Sequence, residues 1–178
     1  MKITEILLTK DVTKANADML GGEMLGTSID EHSEYDLAFK YAGNAVYLFE
    51  DPEHSQYLIV DSEGTVTAVA MSVPFIGHEQ FVSIQSAPGN KLKLADFYHL
   101  LILKGHSLVT DIMQSPGGRK VWERLAGMPH VNIQAYNTKS KKYTYLDSID
   151  DAYVDPMDAQ DMKTNKHRQH IVLVATQE

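Results

Sequence analysis

The chain has 178 residues, 43% of them hydrophobic, with no cysteine and a formal net charge of −8. Such a length and apolar content suit a single globular domain, 1–178, with a sizeable core and speak against global disorder. The missing cysteines exclude disulfides, thiolate metal sites and a cysteine nucleophile, and the acidic balance works against unassisted binding to nucleic-acid phosphates.

In chain order, Met1–Lys10 has too short an apolar run for a signal peptide, and no segment approaches the ~18 apolar residues of a membrane-spanning helix. Ile3–Leu8 reads as a strand. Asp11 reads as the cap of a short helix ending near Leu20, with Gly21-Gly22 closing it, and Glu23–Ser33 as loop. From Tyr35 the pattern turns to β. Leu37, Phe39 and Tyr41 alternate with polar or small residues, and Gly43-Asn44 predicts a hairpin turn into Ala45–Glu50. Asp51-Pro52-Glu53-His54 is another turn, and Ser62-Glu63-Gly64 joins Gln56–Asp61 to Thr65–Val73.

Phe81–Ser86 alternates again and stops at Ser86-Ala87-Pro88-Gly89-Asn90. Leu94, Phe97, Tyr98 and Leu101 then occupy one face of a helix, with Gly105 placed as its left-handed cap residue. Ser107–Thr110 is a short strand. Ser115-Pro116 opens a second helix with a hydroxyl cap and proline at its first position, and Gly127 and Pro129 end it. Strand, crossover helix and strand at this spacing predict a parallel pair with a right-handed connection. Val131–Tyr136 and Lys142–Leu146 read as two strands flanking a turn at Asn137–Lys141. Asp147–Asp161 holds six aspartates without lysine, arginine or glutamate and is expected to be a long, exposed acidic loop inserted before the last strand. His170–Thr176 is that strand, inserted in the sheet core.

A tight turn ahead of a helix directs N–H groups at one point, where the helix dipole favours an anion. By spacing alone, 88–93 reads first as a plain β–α turn, and only a family resemblance turns it toward an anion site. The acidic run lacks the D-x-D-x-D-G order and terminal glutamate of a calcium loop, and Val82 stands where a zinc-protease motif starting at His78-Glu79 needs histidine. No metal site is expected. Lys166–His170 is basic and balances the acidic run. No P-loop, nucleophile elbow or dinucleotide fingerprint is present.

The segment from Glu79 to Tyr136 resembles the GNAT acetyltransferase superfamily, and most closely its phage-encoded branch, through Thr110-Asp111, Gln114-Ser115, Gly118 and Trp122-Glu123-Arg124-Leu125. The resemblance implies an α/β fold: a mixed, mostly antiparallel sheet with a central, splayed parallel pair, Phe81–Ser86 and Ser107–Thr110, and flanking helices. It implies acetyl-CoA as cofactor, its pyrophosphate held by Ser86, Ala87, Gly89, Asn90, Lys91 and Lys93, with Ser115 near the pantetheine arm. Glu79 and His78 stand where the family finds a general base for the amine. The implied partners are a CoA thioester and an unidentified amine acceptor, in a phage-encoded protein acting in the host cytoplasm or carried in the virion. A homo-oligomer is compatible with it. The chain departs from the family at Leu92 and Leu94, where glycines are usual, and at Trp122, where a tyrosine commonly acts as general acid. Indole cannot take that role. These departures support a different class, a catalytically silent GNAT-fold protein that works by binding a protein partner, as a phage accessory, virion or host-inhibiting factor. A third class, modification of nucleic-acid bases, is disfavoured by the net charge.

Overall fold

A computed structural model describes residues 18–19, 21–90, 93–111, 114–154 and 158–178. The strand expected at Ile3–Leu8, the cap expected at Asp11, and residues Lys91 and Leu92 lie outside them. The fold is α/β, with a mixed sheet of nine strands and few helices. No helix among the described residues is long and apolar enough to cross a membrane. The chain divides into two compact units, Met1–Pro74 with Phe81–Lys91 and Phe75–Gln80 with Leu92–Glu178.

The first unit is an antiparallel meander of β1 (Asp36–Tyr41), β2 (Asn44–Glu50), β3 (Ser55–Val60) and β4 (Val66–Phe75), with most of β5 (His78–Ser86). The first hairpin turns one residue earlier than expected. Ala42 and Gly43 carry φ of 47° and 84°, and Asn44 already pairs with Tyr41. Two residues of positive φ match the twist of the flanking strands, and this selects the turn position. In the turn before β3, Asp51 Oδ1 accepts from the Glu53 and His54 amides at 2.8 and 2.9 Å. Leu58, Val60, Val66 and Val69 form the core with Tyr35.

Helix continues through Gly21-Gly22 to residue 24, past the expected stop. A Cβ on Gly21 would meet the Gln85 amide at 3.2 Å. Gln85 also donates to the Asp18 carbonyl at 2.6 Å, while Ser83 Oγ donates to the Asp18 carboxylate. Gly21 therefore serves close packing and does not end the helix.

β4 runs through Pro74, beyond the expected limit at Val73. Its last pair with β3 is Ser72 with Ser55, so the missing proline N–H costs no bond in that ladder. Ile76 and Gly77, with φ of 49° and 85°, then turn the chain directly into β5.

In the second unit the start of β5 is followed by β6 (Leu108–Val109), β9 (Ile171–Gln177), β7 (Val131–Asn137) and β8 (Lys142–Thr144). The β5–β6 pair is parallel across α1 (Leu94–Leu103), as the spacing predicts. The pairing occurs at Glu79 with Leu108, earlier along β5 than Phe81–Ser86. β9 lies between β6 and β7 with its first five residues buried, so the last strand is central. α2 (Pro116–Ala126) buries Trp122 and Leu125, and the Trp122 ring meets the buried Tyr98 ring edge-on at 6.4 Å.

The acidic run departs from the expected exposed loop. Ile149–Ala152 forms a 3-10 turn closed by reciprocal bonds between Ser148 and Asp151, and Asp158 caps α3 (Ala159–Thr164). Ala152 and Val154 are buried. Arg119 meets Asp150 at 2.6 Å and Arg168 meets Asp151 at 3.2 Å. Arginines distant in sequence offset the repulsion that would have kept the run extended.

Candidate active site at the start of strand β5

Two strand positions and one helix terminus bring the catalytic candidates together. Gly105, with φ of 90°, ends α1, its amide bonding the Ile102 carbonyl at 2.9 Å and that of His106 bonding Leu101 at 3.0 Å. The next two residues, His106 and Ser107, are thereby set beside the first two of β5. Glu79 N–H donates to the Ser107 carbonyl at 2.8 Å, which fixes the register. His78 and Glu79 belong to the strand itself, because the turn falls at Ile76-Gly77.

Successive strand residues face opposite sides, and the two candidates accordingly have different partners. Glu79 Oε1 pairs with His106 Nδ1 at 2.6 Å, both side chains being about a fifth exposed. His78 Nδ1 bonds Ser107 Oγ, and its Nε2 lies 3.3 Å from the Tyr143 hydroxyl. Burial lowers the His78 pKa from its usual value, which keeps the imidazole neutral and one nitrogen lone pair available near pH 7. Tyr143 is half exposed on β8 and packs edge-on against Tyr136 at 5.3 Å. It also lines an open cleft of about 610 Å³ beside Ile133, Ala135, Tyr145, Leu146 and Leu173.

The parallel ladder is the single pair Glu79 with Leu108, and one residue further along β5 the contact is made by a side chain. Gln80 is buried, and its side-chain Nε2 donates to the Thr110 carbonyl at 2.7 Å. Thr110 N–H donates to the Leu173 carbonyl and Thr110 Oγ1 accepts from the Leu173 amide, each at 2.9 Å. A side chain thus bridges where a ladder bond would otherwise lie.

The residues expected to hold the cofactor are divided. Ser86, Ala87, Gly89 and Asn90 belong to the first unit, Lys93 and Ser115 to the second. Ala87 N–H donates to the Thr67 carbonyl at 2.8 Å and Asn90 N–H to the Ala87 carbonyl at 3.2 Å. The Asn90 side chain reaches the same Thr67 carbonyl at 3.3 Å. Gly89, at φ 87°, and Ser86 are exposed. Lys93 occupies the cap position of α1 and makes no side-chain capping bond, so the first turn lacks that acceptor. Ser115 caps α2 as its spacing predicts, its Oγ accepting from Gly118 N–H at 3.1 Å. Lys91 is outside the described residues.

His106, Ser107 and Tyr143 were not legible as site residues. Gly105 is the signal that could have drawn attention to His106 and Ser107. Tyr143 carries no local signal, because only the β7–β8–β9 pairing places it near β5. Among the described residues no group of three or more histidines and carboxylates could hold a metal ion. No family model matches the chain, and no curated protein matches it.

Proposed function

We propose that the chain is an acetyl-CoA-dependent N-acetyltransferase of the GNAT type, acting on an amine. The observation that carries this reading is the pairing of His78 and Glu79 with Ser107 and His106 at the start of the parallel β5–α1–β6 crossover. A neutral imidazole stands there within reach of a half-exposed tyrosine, with a carboxylate on the other side of the strand, and such a base suits deprotonation of an amine for attack on a thioester. The parallel β5–β6 pair and the place of β9 between β6 and β7 support this reading. In this reading the start of α1 takes the pyrophosphate, with Lys93 there and Ser115 toward the pantetheine arm.

A catalytically silent protein with this fold is the second reading. Trp122 is buried against Tyr98, and the amides of Ala87 and Asn90 bond carbonyls of their own unit. Both observations favour binding without turnover.

Thermal unfolding with acetyl-CoA, then transfer to a panel of primary amines, separates them. A ligand at a hundredfold excess over Kd adds about 2.7 kcal/mol to stability, or roughly 5–11 °C in Tm for a chain of this size. We expect Tm to rise with millimolar acetyl-CoA and the rise to vanish in Gly89→Glu. If neither acetyl-CoA nor free CoA moves Tm, the acetyltransferase reading is lost. A rise without turnover on any amine supports the silent protein.

A further inference from the structure

We propose that Tyr143, His78 and Ser107 form one proton relay, in which the Tyr143 hydroxyl is the end that meets substrate and stands in for the acid that Trp122 cannot supply. The assignment rests on the acetyltransferase reading for its chemistry, and on three contacts for its geometry. Both ring nitrogens of His78 are engaged, Nδ1 by Ser107 Oγ and Nε2 by the Tyr143 hydroxyl at 3.3 Å. A neutral imidazole carries one N–H and one lone pair. With the hydrogen on Nδ1 donated to Ser107, the Nε2 lone pair accepts the Tyr143 hydrogen, and Tyr143 itself is half exposed, so that a substrate can reach it. Ser107 is fixed in turn by its carbonyl, which takes the Glu79 amide at 2.8 Å. The neighbours Glu79 and His106 bond each other and stand on the other side of the strand.

The steps balance as follows. A protonated amine passes one proton to the Tyr143 oxygen as the tyrosine's own hydrogen moves to His78 Nε2, giving an imidazolium held by Ser107. The free amine attacks the thioester carbon, forming the C–N bond. As the C–S bond breaks, the relay runs backwards and delivers its proton to the sulfur, so that CoA leaves as the thiol. The remaining extra proton on nitrogen passes to water. Tyr143 is the catalytic residue of this sequence; His78 holds its proton, and Ser107 positions the ring.

The test labels histidine with ¹⁵N and follows the His78 ring by NMR between pH 5 and 8 in the wild type, Tyr143→Phe and Ser107→Ala. Both variants keep the neighbouring packing, and circular dichroism checks that they fold. The expected wild-type ring is the Nδ1–H tautomer. Tyr143→Phe should raise the His78 pKa, because the neutral ring loses a donor to its lone pair, and Ser107→Ala should move the hydrogen toward Nε2. A His78 ring whose tautomer and pKa are the same in Tyr143→Phe as in the wild type overturns the relay. With acetyl-CoA and a primary amine such as a polyamine, Tyr143→Phe should lose roughly 10²–10⁴ in kcat, the range for a general acid–base group, with KM for acetyl-CoA unchanged. Unchanged kcat also overturns it. A wild type inert toward acetyl-CoA, with the NMR as expected, removes the acetyltransferase reading and leaves the relay itself supported.

Discussion

Thr110→Val tests the bond that ties the end of β6 to β9. Thr110 is 2% exposed, and its Oγ1 takes the Leu173 amide at 2.9 Å. Leu173 is equally buried, so no water can replace the lost acceptor. Valine fills nearly the same volume, which keeps cavity formation out of the result. An orphaned buried amide costs about 1–3 kcal/mol, which at ~2–4 °C per kcal/mol is a fall in Tm of roughly 2–12 °C. Native-state hydrogen exchange localises the effect, since the Leu173 amide should lose protection while Val174, bonded within its ladder, keeps its own relative to the global opening. A Tm within a degree of wild type, with Leu173 still protected, would refute the reasoning and show that the amide has another acceptor.

Three further outcomes follow from the same structure. Trp122→Ala should cost about 3–5 kcal/mol by emptying its buried site against Tyr98, measured by urea denaturation; Trp122→Tyr should fold but gain no acyl transfer, because position 122 is buried, and a gain would show that the helix opens to substrate. For His78 the folded pKa lies below its usual value through burial, so the unfolded chain takes up the proton first. The His78 contribution to stability is then fully present above the ordinary histidine range and declines as pH falls through it; Tm measured from pH 8 to 5 should fall less steeply in His78→Gln, and parallel curves would show that the ring titrates alike in both states.

Local chemistry was sufficient for much of the fold. Alternation located β1 and most of β5, the turns read at Asp51-Pro52-Glu53-His54 and Ser62-Glu63-Gly64 are closed by Asp51 and Asp61 accepting from the following amides, and Gly105 and Ser115 marked helix ends through a left-handed φ and a hydroxyl cap. Misreadings arose where a distant partner decides. Gly21-Gly22 looks like a helix stop, but its small residues answer to Gln85 across the meander. Six aspartates look like an unstructured loop until Arg119 and Arg168 are brought to them by tertiary packing. His78 and Glu79 were legible as candidates from their position in the chain. Their partners were not, because Tyr143 is 65 residues away and only sheet order joins the two.

The placement of β9 has a consequence for how the second unit is made. Thr110 bonds a residue 63 positions later, and β7 likewise waits for β9 to occupy its inner edge. Emerging from a ribosome, β6 and β7 must therefore remain unzipped from their common partner through the synthesis of two turns, the β8 hairpin and α3. Contacts of such sequence separation are slow to form because loop closure precedes any reward. Meanwhile Val109 and Ala135 would belong to open, apolar strand edges, the kind that recruit other nascent chains. A chain arrested before Ile171 should be a chaperone client, and adding the 171–177 segment in trans should compete with its self-association.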